Sequence, residues 1–93
     1  FTDVVNATEG AYYISNQITI AGINAAANLT ISGGEYSKNG GPYSAISTAV
    51  QNGDTITVRA IASQTPSATV DAILTIGGVS DTFSVKTRPA ISF

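Results

Sequence analysis

Apolar side chains recur at every second position along most of this chain. Ile18, Ile20 and Gly22 alternate with Gln17, Thr19 and Ala21, and Leu29 and Ile31 alternate with Asn28 and Thr30. Ile56, Val58, Ala60 and Ala62 alternate with Thr55, Thr57 and Arg59. A period of two sends successive side chains to opposite faces of a strand, one buried and one wet. No window carries the i, i+3, i+4 stripe of a capped amphipathic helix. Asn24–Asn28, with its three alanines, is too short for a stable helix and reads as a turn.

Two stretches read as hairpins. If Gly77-Gly78 form a two-residue turn, Ile76 faces Val79, Leu74 faces Asp81, Ala72 faces Phe83 and Val70 faces Val85. One face then collects Val70, Ala72, Leu74, Ile76, Val79, Phe83 and Val85, while the other carries mainly Asp71, Thr75, Ser80, Thr82 and Ser84. A slip of one residue mixes the two sets, so the pattern itself selects the register. The same reasoning puts Asn39-Gly40 at a type I′ turn, with Tyr36 opposite Tyr43. Pro42 has no N–H to give a ladder, which places this hairpin at a sheet edge.

Strands are predicted over Phe1–Asn6, Tyr12–Ile14, Gln17–Gly22, Ala27–Ser32, Glu35–Ser37, Tyr43–Ser47, Asp54–Ala62, Ala68–Ile76 and Val79–Thr87. Turn signals recur about every ten residues, as in a two-sheet antiparallel β-sandwich of seven to nine strands. A small closed barrel is the alternative. Ninety-three residues make one domain, 1–93, large enough for a single core.

Composition narrows the chemistry. There is no Cys, His, Trp or Met, and the net charge is −2. The four cations, Lys38, Arg59, Lys86 and Arg88, are scattered and form no basic stripe, which argues against a nucleic-acid partner. No apolar run approaches the ~20 residues of a membrane helix, so insertion into a membrane is not expected. No signal peptide precedes Phe1, as expected of a mature product or of a module cut from something longer. Acidic, cysteine-free β chains rich in Thr, Ser, Asn and Gly are associated with secreted bacterial surface proteins.

Val50-Gln-Asn-Gly53-Asp-Thr-Ile56-Thr-Val58-Arg59 resembles the stretch of fibronectin type III and related immunoglobulin-like domains where a loop glycine leads into a long central strand. Ile56 stands where those domains often carry tyrosine, so no tyrosine corner is expected. A longer series is more specific. It comprises Phe1-Thr-Asp, Ser15–Ile23, Ile31–Ser37, Asn39-Gly-Gly, Asn52–Arg59 and Leu74–Phe83. It resembles an immunoglobulin-like repeat module of large bacterial surface and secreted proteins. The resemblance implies an immunoglobulin-like β-sandwich at the bacterial cell surface or outside the cell. It also implies tandem use as a spacer, adhesive stalk or fibre subunit, with no catalytic residue and no cofactor. The chain opens with Phe1-Thr-Asp and closes with Pro89-Ala-Ile-Ser-Phe93, so a repeat would close on itself if Phe93 took the place of Phe1 in a following copy. Copies of the chain are therefore the expected partner, with Phe1, Val4, Val5, Ile91 and Phe93 as the self-association residues.

Other sites are weaker. Asp81 falls on the apolar face, where it is either a calcium ligand with Asp54 or Asp3, or a rim carboxylate bonded to backbone N–H groups or Arg59. The second reading is preferred, because calcium takes six to eight oxygens and no Asp-x-Asp loop is present. The six acidic residues are spread too widely for paired-carboxylate glycoside hydrolysis, and a serine nucleophile lacks a histidine base. Gly33-Gly34 and Gly40-Gly41 precede no helix and are not phosphate cradles. Tyr12, Tyr13, Tyr36 and Tyr43 are the candidates for contact with surface glycans, which would make the chain a carbohydrate-binding accessory module. Asn6-Ala-Thr8 and Asn28-Leu-Thr30 match the N-glycosylation pattern, and Asn28 is expected to face solvent. An intramolecular amide through Lys38 or Lys86 needs a buried lysine, and both read as exposed.

Overall fold

The computed structural model describes residues 1–23 and 25–89, which contain strands and no helix. In chain order the strands are β1 (Val4–Ala7), β2 (Tyr12–Ile14), β3 (Ile18–Thr19), β4 (Ala27–Ser32), β5 (Glu35–Lys38), β6 (Thr48–Val50), β7 (Thr55–Ile61), β8 (Thr69–Ile76) and β9 (Val79–Thr87). One sheet runs β1-β9-β8-β4-β6; the other is centred on β7, with β2 and β3 along one side and β5 along the other. The chain is thus all-β in two sheets, as its periodicity predicts. Two open sheets, and not a closed barrel, are what form.

Strand β7 shows why the layers come together. Ile56, Val58 and Ala60 point inward and are buried, and Ala62 extends the series beyond the strand. They meet Leu29, Ala72, Leu74, Phe83 and Val85 from the other sheet in one cluster. Burying each large aliphatic or aromatic side chain here is worth about 1.5–3 kcal/mol.

The β8–β9 hairpin pairs Ile76↔Val79, Leu74↔Asp81, Ala72↔Phe83 and Val70↔Val85, the predicted register throughout. Gly77 and Gly78 both adopt positive φ, 56° and 88°, as a type I′ turn demands. Ala72, Leu74, Phe83 and Val85 are buried, but the inward series thins toward the turn, where Val79 is 75% exposed.

The β2–β3 edge contains a bulge. Tyr12, Tyr13 and Ile14 pair with Ile61, Ala60 and Arg59, whereas Ile18 and Thr19 pair with Ile56 and Thr55. One extra residue has therefore entered between them. Ser15 bridges the irregularity: its N–H donates to the Val58 carbonyl at 2.7 Å, and its Oγ accepts from the Val58 N–H at 2.9 Å. The hydroxyl thus takes over from a backbone carbonyl.

The second hairpin departs from expectation. Asn39 and Gly40 have φ of 53° and 74°, and the Gly41 N–H donates to the Lys38 carbonyl, so the type I′ turn is present. Tyr36, however, faces Ser44 and not Tyr43, exchanging both backbone bonds with it at 2.9 Å. The returning chain has gained one residue between Gly41 and Ser44, a bulge beside Pro42. The strand expected over Tyr43–Ser47 is reduced to the Ser44 bridge, and pairing resumes with β6 in the other sheet.

Between β4 and β5 the chain changes sheets in two residues. Gly33 has φ of 78°, and a Cβ there would lie 2.1 Å from the Asp71 carbonyl oxygen. A Cβ on Gly34 would lie 2.6 Å from the Arg59 carbonyl oxygen. No side chain fits where these two backbones pass.

Strands β1 and β9 run parallel. β1 pairs with β9 through Val4↔Val85 and Ala7↔Thr87, and the Arg88 N–H continues the ladder to Ala7. Phe1 packs edge-on against Phe83, ring centroids 6.4 Å apart.

Candidate functional site

Two surface regions combine apolar exposure with firmly held polar groups. The first lies on the outer face of the β7 sheet. Period two along β7 sends Arg59 and Ile61 outward, and the pairing with β2 sets Tyr12 opposite Ile61 and Ile14 opposite Arg59. Tyr12, Ile14 and Ile61 are 58%, 60% and 47% exposed, on a face where small polar side chains are the usual occupants. The Arg59 guanidinium lies between two rings, 4.7 Å from the Tyr12 centroid and 4.4 Å from that of Tyr43. Glu35, opposite Arg59 on β5, accepts from Nε at 2.9 Å and from an Nη at 2.8 Å through the same oxygen. Each exposed cation–π contact is worth about 0.5–1 kcal/mol. The stack uses the face of each ring that is turned toward the guanidinium.

The second region is a groove of about 350 Å³ at the turn end of the β8–β9 hairpin. One wall is Ile18–Ile23; the other is Leu74, Ile76, Val79, Ser80 and Asp81. Ile20 exchanges backbone bonds with the far side, its N–H donating to Asp54 at 2.8 Å and its carbonyl accepting from Gly53 at 2.9 Å. Alternation then turns the N–H and C=O groups of Thr19 and Ala21 toward the open edge. Among the described residues no strand pairs with that edge.

The four tyrosines separate. Tyr12 and Tyr43 converge on Arg59. Tyr36 is buried and donates its hydroxyl to the Ile46 carbonyl. Tyr13 packs on the core, and its hydroxyl accepts the Thr8 N–H at 2.7 Å, which holds its pKa below the ordinary phenol value. Periodicity identified Arg59 as outward-facing, but its place between two rings depends on β2 and the Pro42 segment meeting across β7. Ile14 and Ile61 gave no individual signal, since single exposed apolar residues are ordinary.

The two aspartates are engaged separately. Asp54 accepts from Asn39 Nδ2 at 3.0 Å and from the Gln51 N–H at 2.9 Å, with Lys38 Nζ 3.8 Å away. These donors, Asn39 foremost, hold its carboxyl below the ordinary aspartate value. Asp81 lies on the apolar side of the hairpin but at its exposed rim, where it accepts from the Phe1 amino group at 3.0 Å and the Thr82 N–H at 2.9 Å. The partner considered for it, Arg59, is committed to Glu35. Asp3 accepts the Ser84 N–H. Among the described residues no three acidic side chains gather as a metal site would require.

Of the proposed self-association residues, Phe1 and Val4 pack against the chain's own core, whereas Val5 is 67% exposed. Ile91 and Phe93 lie outside the described residues. Lys38 is half-buried and donates to the Ala49 carbonyl, and Lys86 is exposed. Asn6 and Asn28 are both exposed. Comparison with protein-family models, with curated proteins and with solved structures finds no match to this chain.

Proposed function

We propose that the chain is a non-enzymatic structural module, an immunoglobulin-like sandwich of a bacterial cell-surface or secreted protein, which joins end to end with copies of itself. The observation that carries this reading is the parallel pairing of β1 with β9. Because both strands point the same way, Phe1 lies toward the β8–β9 turn and Pro89 lies at the far end of β9. A module threaded in this way is suited to propagation along a line, with head meeting tail.

Strand order supports the immunoglobulin-like part. The sheet β5-β7-β2/β3 and the series β9-β8-β4 follow the D-E-B and G-F-C arrangement of that sandwich in the same chain sequence. The additional strand β6 continues the second sheet beyond β4. Sedimentation of the purified chain at rising concentration tests the reading: association that strengthens with concentration and is lost on removing Ala90–Phe93 is expected. A strictly monomeric chain at millimolar concentration, together with a folded-back two-copy fusion in small-angle scattering, would refute it.

A carbohydrate-binding module is the second reading, supported by the Tyr12 and Tyr43 rings flanking Arg59 on the outer face. Calorimetry with polysaccharides separates the two. Heat that disappears in Tyr12→Ala favours glycan contact; no heat favours the structural role.

A further inference from the structure

We infer that the groove between Ile18–Ile23 and the β8–β9 turn is the acceptor for Ala90–Phe93 of a second copy, which adds as a strand along the open edge of β3. This rests on the end-to-end reading above and specifies its chemistry. Thr19 and Ala21 turn backbone donors and acceptors to that edge, so an incoming strand gains ladder bonds there. Within Ala90-Ile-Ser-Phe93, period two sends Ile91 and Phe93 to one side and Ala90 and Ser92 to the other. With the apolar pair facing inward, Ile91 and Phe93 fall against Ile18, Ile76 and Val79, the under-covered walls of the groove.

The occupant must come from another copy. Asp81 and Val79 lie along β9 from Thr87 by six and eight residues, roughly 20 and 26 Å at 3.3 Å per residue. Ile91 is four residues past Thr87 and reaches at most ~14 Å from it, whichever way the chain turns. Doubling back along β9 is also blocked, because β1 and β8 occupy its two edges. A copy placed head to tail brings the segment to the groove without bending.

Two variants isolate the halves of this joint. Ile91→Lys removes the donor side chain, and Val79→Lys puts a charge on an acceptor wall that is already 75% exposed, so the fold is unaffected. Each variant alone should sediment as a monomer, whereas an equimolar mixture should form a dimer and nothing larger, through the intact tail of one and the intact groove of the other. The chain has no cysteine, so mixing Ile91→Cys with Val79→Cys under mild oxidation should give a disulfide-linked heterodimer. If the unaltered chain does not associate, the end-to-end reading itself falls. If it associates and Ile91→Lys abolishes this while Val79→Lys has no effect and no mixed disulfide forms, that reading stands and the groove is not the acceptor.

Discussion

The two hairpins of this protein are held in register by different forces. In β8–β9 the turn and the side-chain pattern agree: Gly77-Gly78 set a two-residue connection, and the pairing from Ile76↔Val79 to Thr69↔Lys86 follows without interruption. In the hairpin after β5 the turn at Asn39-Gly40 forms just as well, but the returning chain slips by one residue and leaves the sheet after Ser44. What holds that segment is tertiary. Tyr36 donates to Ile46, Asn39 bonds Asp54 and Thr55, Lys38 donates to Ala49, and Arg59 stacks on Tyr43. A good turn therefore does not by itself carry a register beyond the residues that flank it.

Substitutions should expose that difference. The largest effect is expected at Phe83, fully buried opposite Ala72 and in contact with Phe1. Phe83→Ala should lower global stability by about 3–5 kcal/mol in urea unfolding, because the cavity lies at the centre of both sheets. Gly33→Ala tests the sheet crossing that feeds the second hairpin. Its methyl would collide with the Asp71 carbonyl and its φ of 78° would be strained, so a loss of roughly 1–3 kcal/mol is expected.

Tyr36→Phe removes one bond of the second hairpin and should cost about 0.5–1.5 kcal/mol. Hydrogen exchange should quicken at Tyr36 and Ser44 while Ala72 and Phe83 stay protected. Equal acceleration in both hairpins would show that they open together and erase the contrast. Arg59→Ala should cost no more than about 1–2 kcal/mol, since both ring contacts and the Glu35 pair are partly exposed. Its sharper readout is a loss of ordered ring-current shifts from Tyr12 and Tyr43.

The mildest effect is one of pH. Asp54 has a folded pKa below its ordinary 3.8, so the bonds it accepts stabilise the fold fully above the unfolded value and are lost as pH falls through the lower folded one. Loss of stability monitored around the Asn39 turn should therefore set in near the ordinary aspartate value and be complete below the folded one. Asp54→Asn should flatten that part of the profile, with Glu9, which Arg88 lowers in the same way, contributing in parallel.

Much of the architecture follows from local pattern. The inward series Ile56, Val58, Ala60 and Ala62, the complete β8–β9 register and both tight turns are visible in the order of residues. They depend on interactions between near neighbours: side-chain alternation and the positive φ that Gly and Asn accept. The candidate sites are a different matter. Tyrosines could be named as exposed or rim residues, but which of them stack on Arg59 depends on β2 and the Tyr43 segment approaching β7 from opposite sides. The groove is likewise a relation between Ile18–Ile23 and a hairpin more than fifty residues later.

Sequence alone determined that this chain is paired β-sheet with a cysteine-free, sparsely charged surface, because strand periodicity and turn chemistry act over a few residues. Tertiary structure decided which strands form the sheet edges, where the sheets part and which of the tyrosines meet Arg59. Those outcomes depend on the packing of residues far apart in the chain, and no local pattern encodes the distance between them.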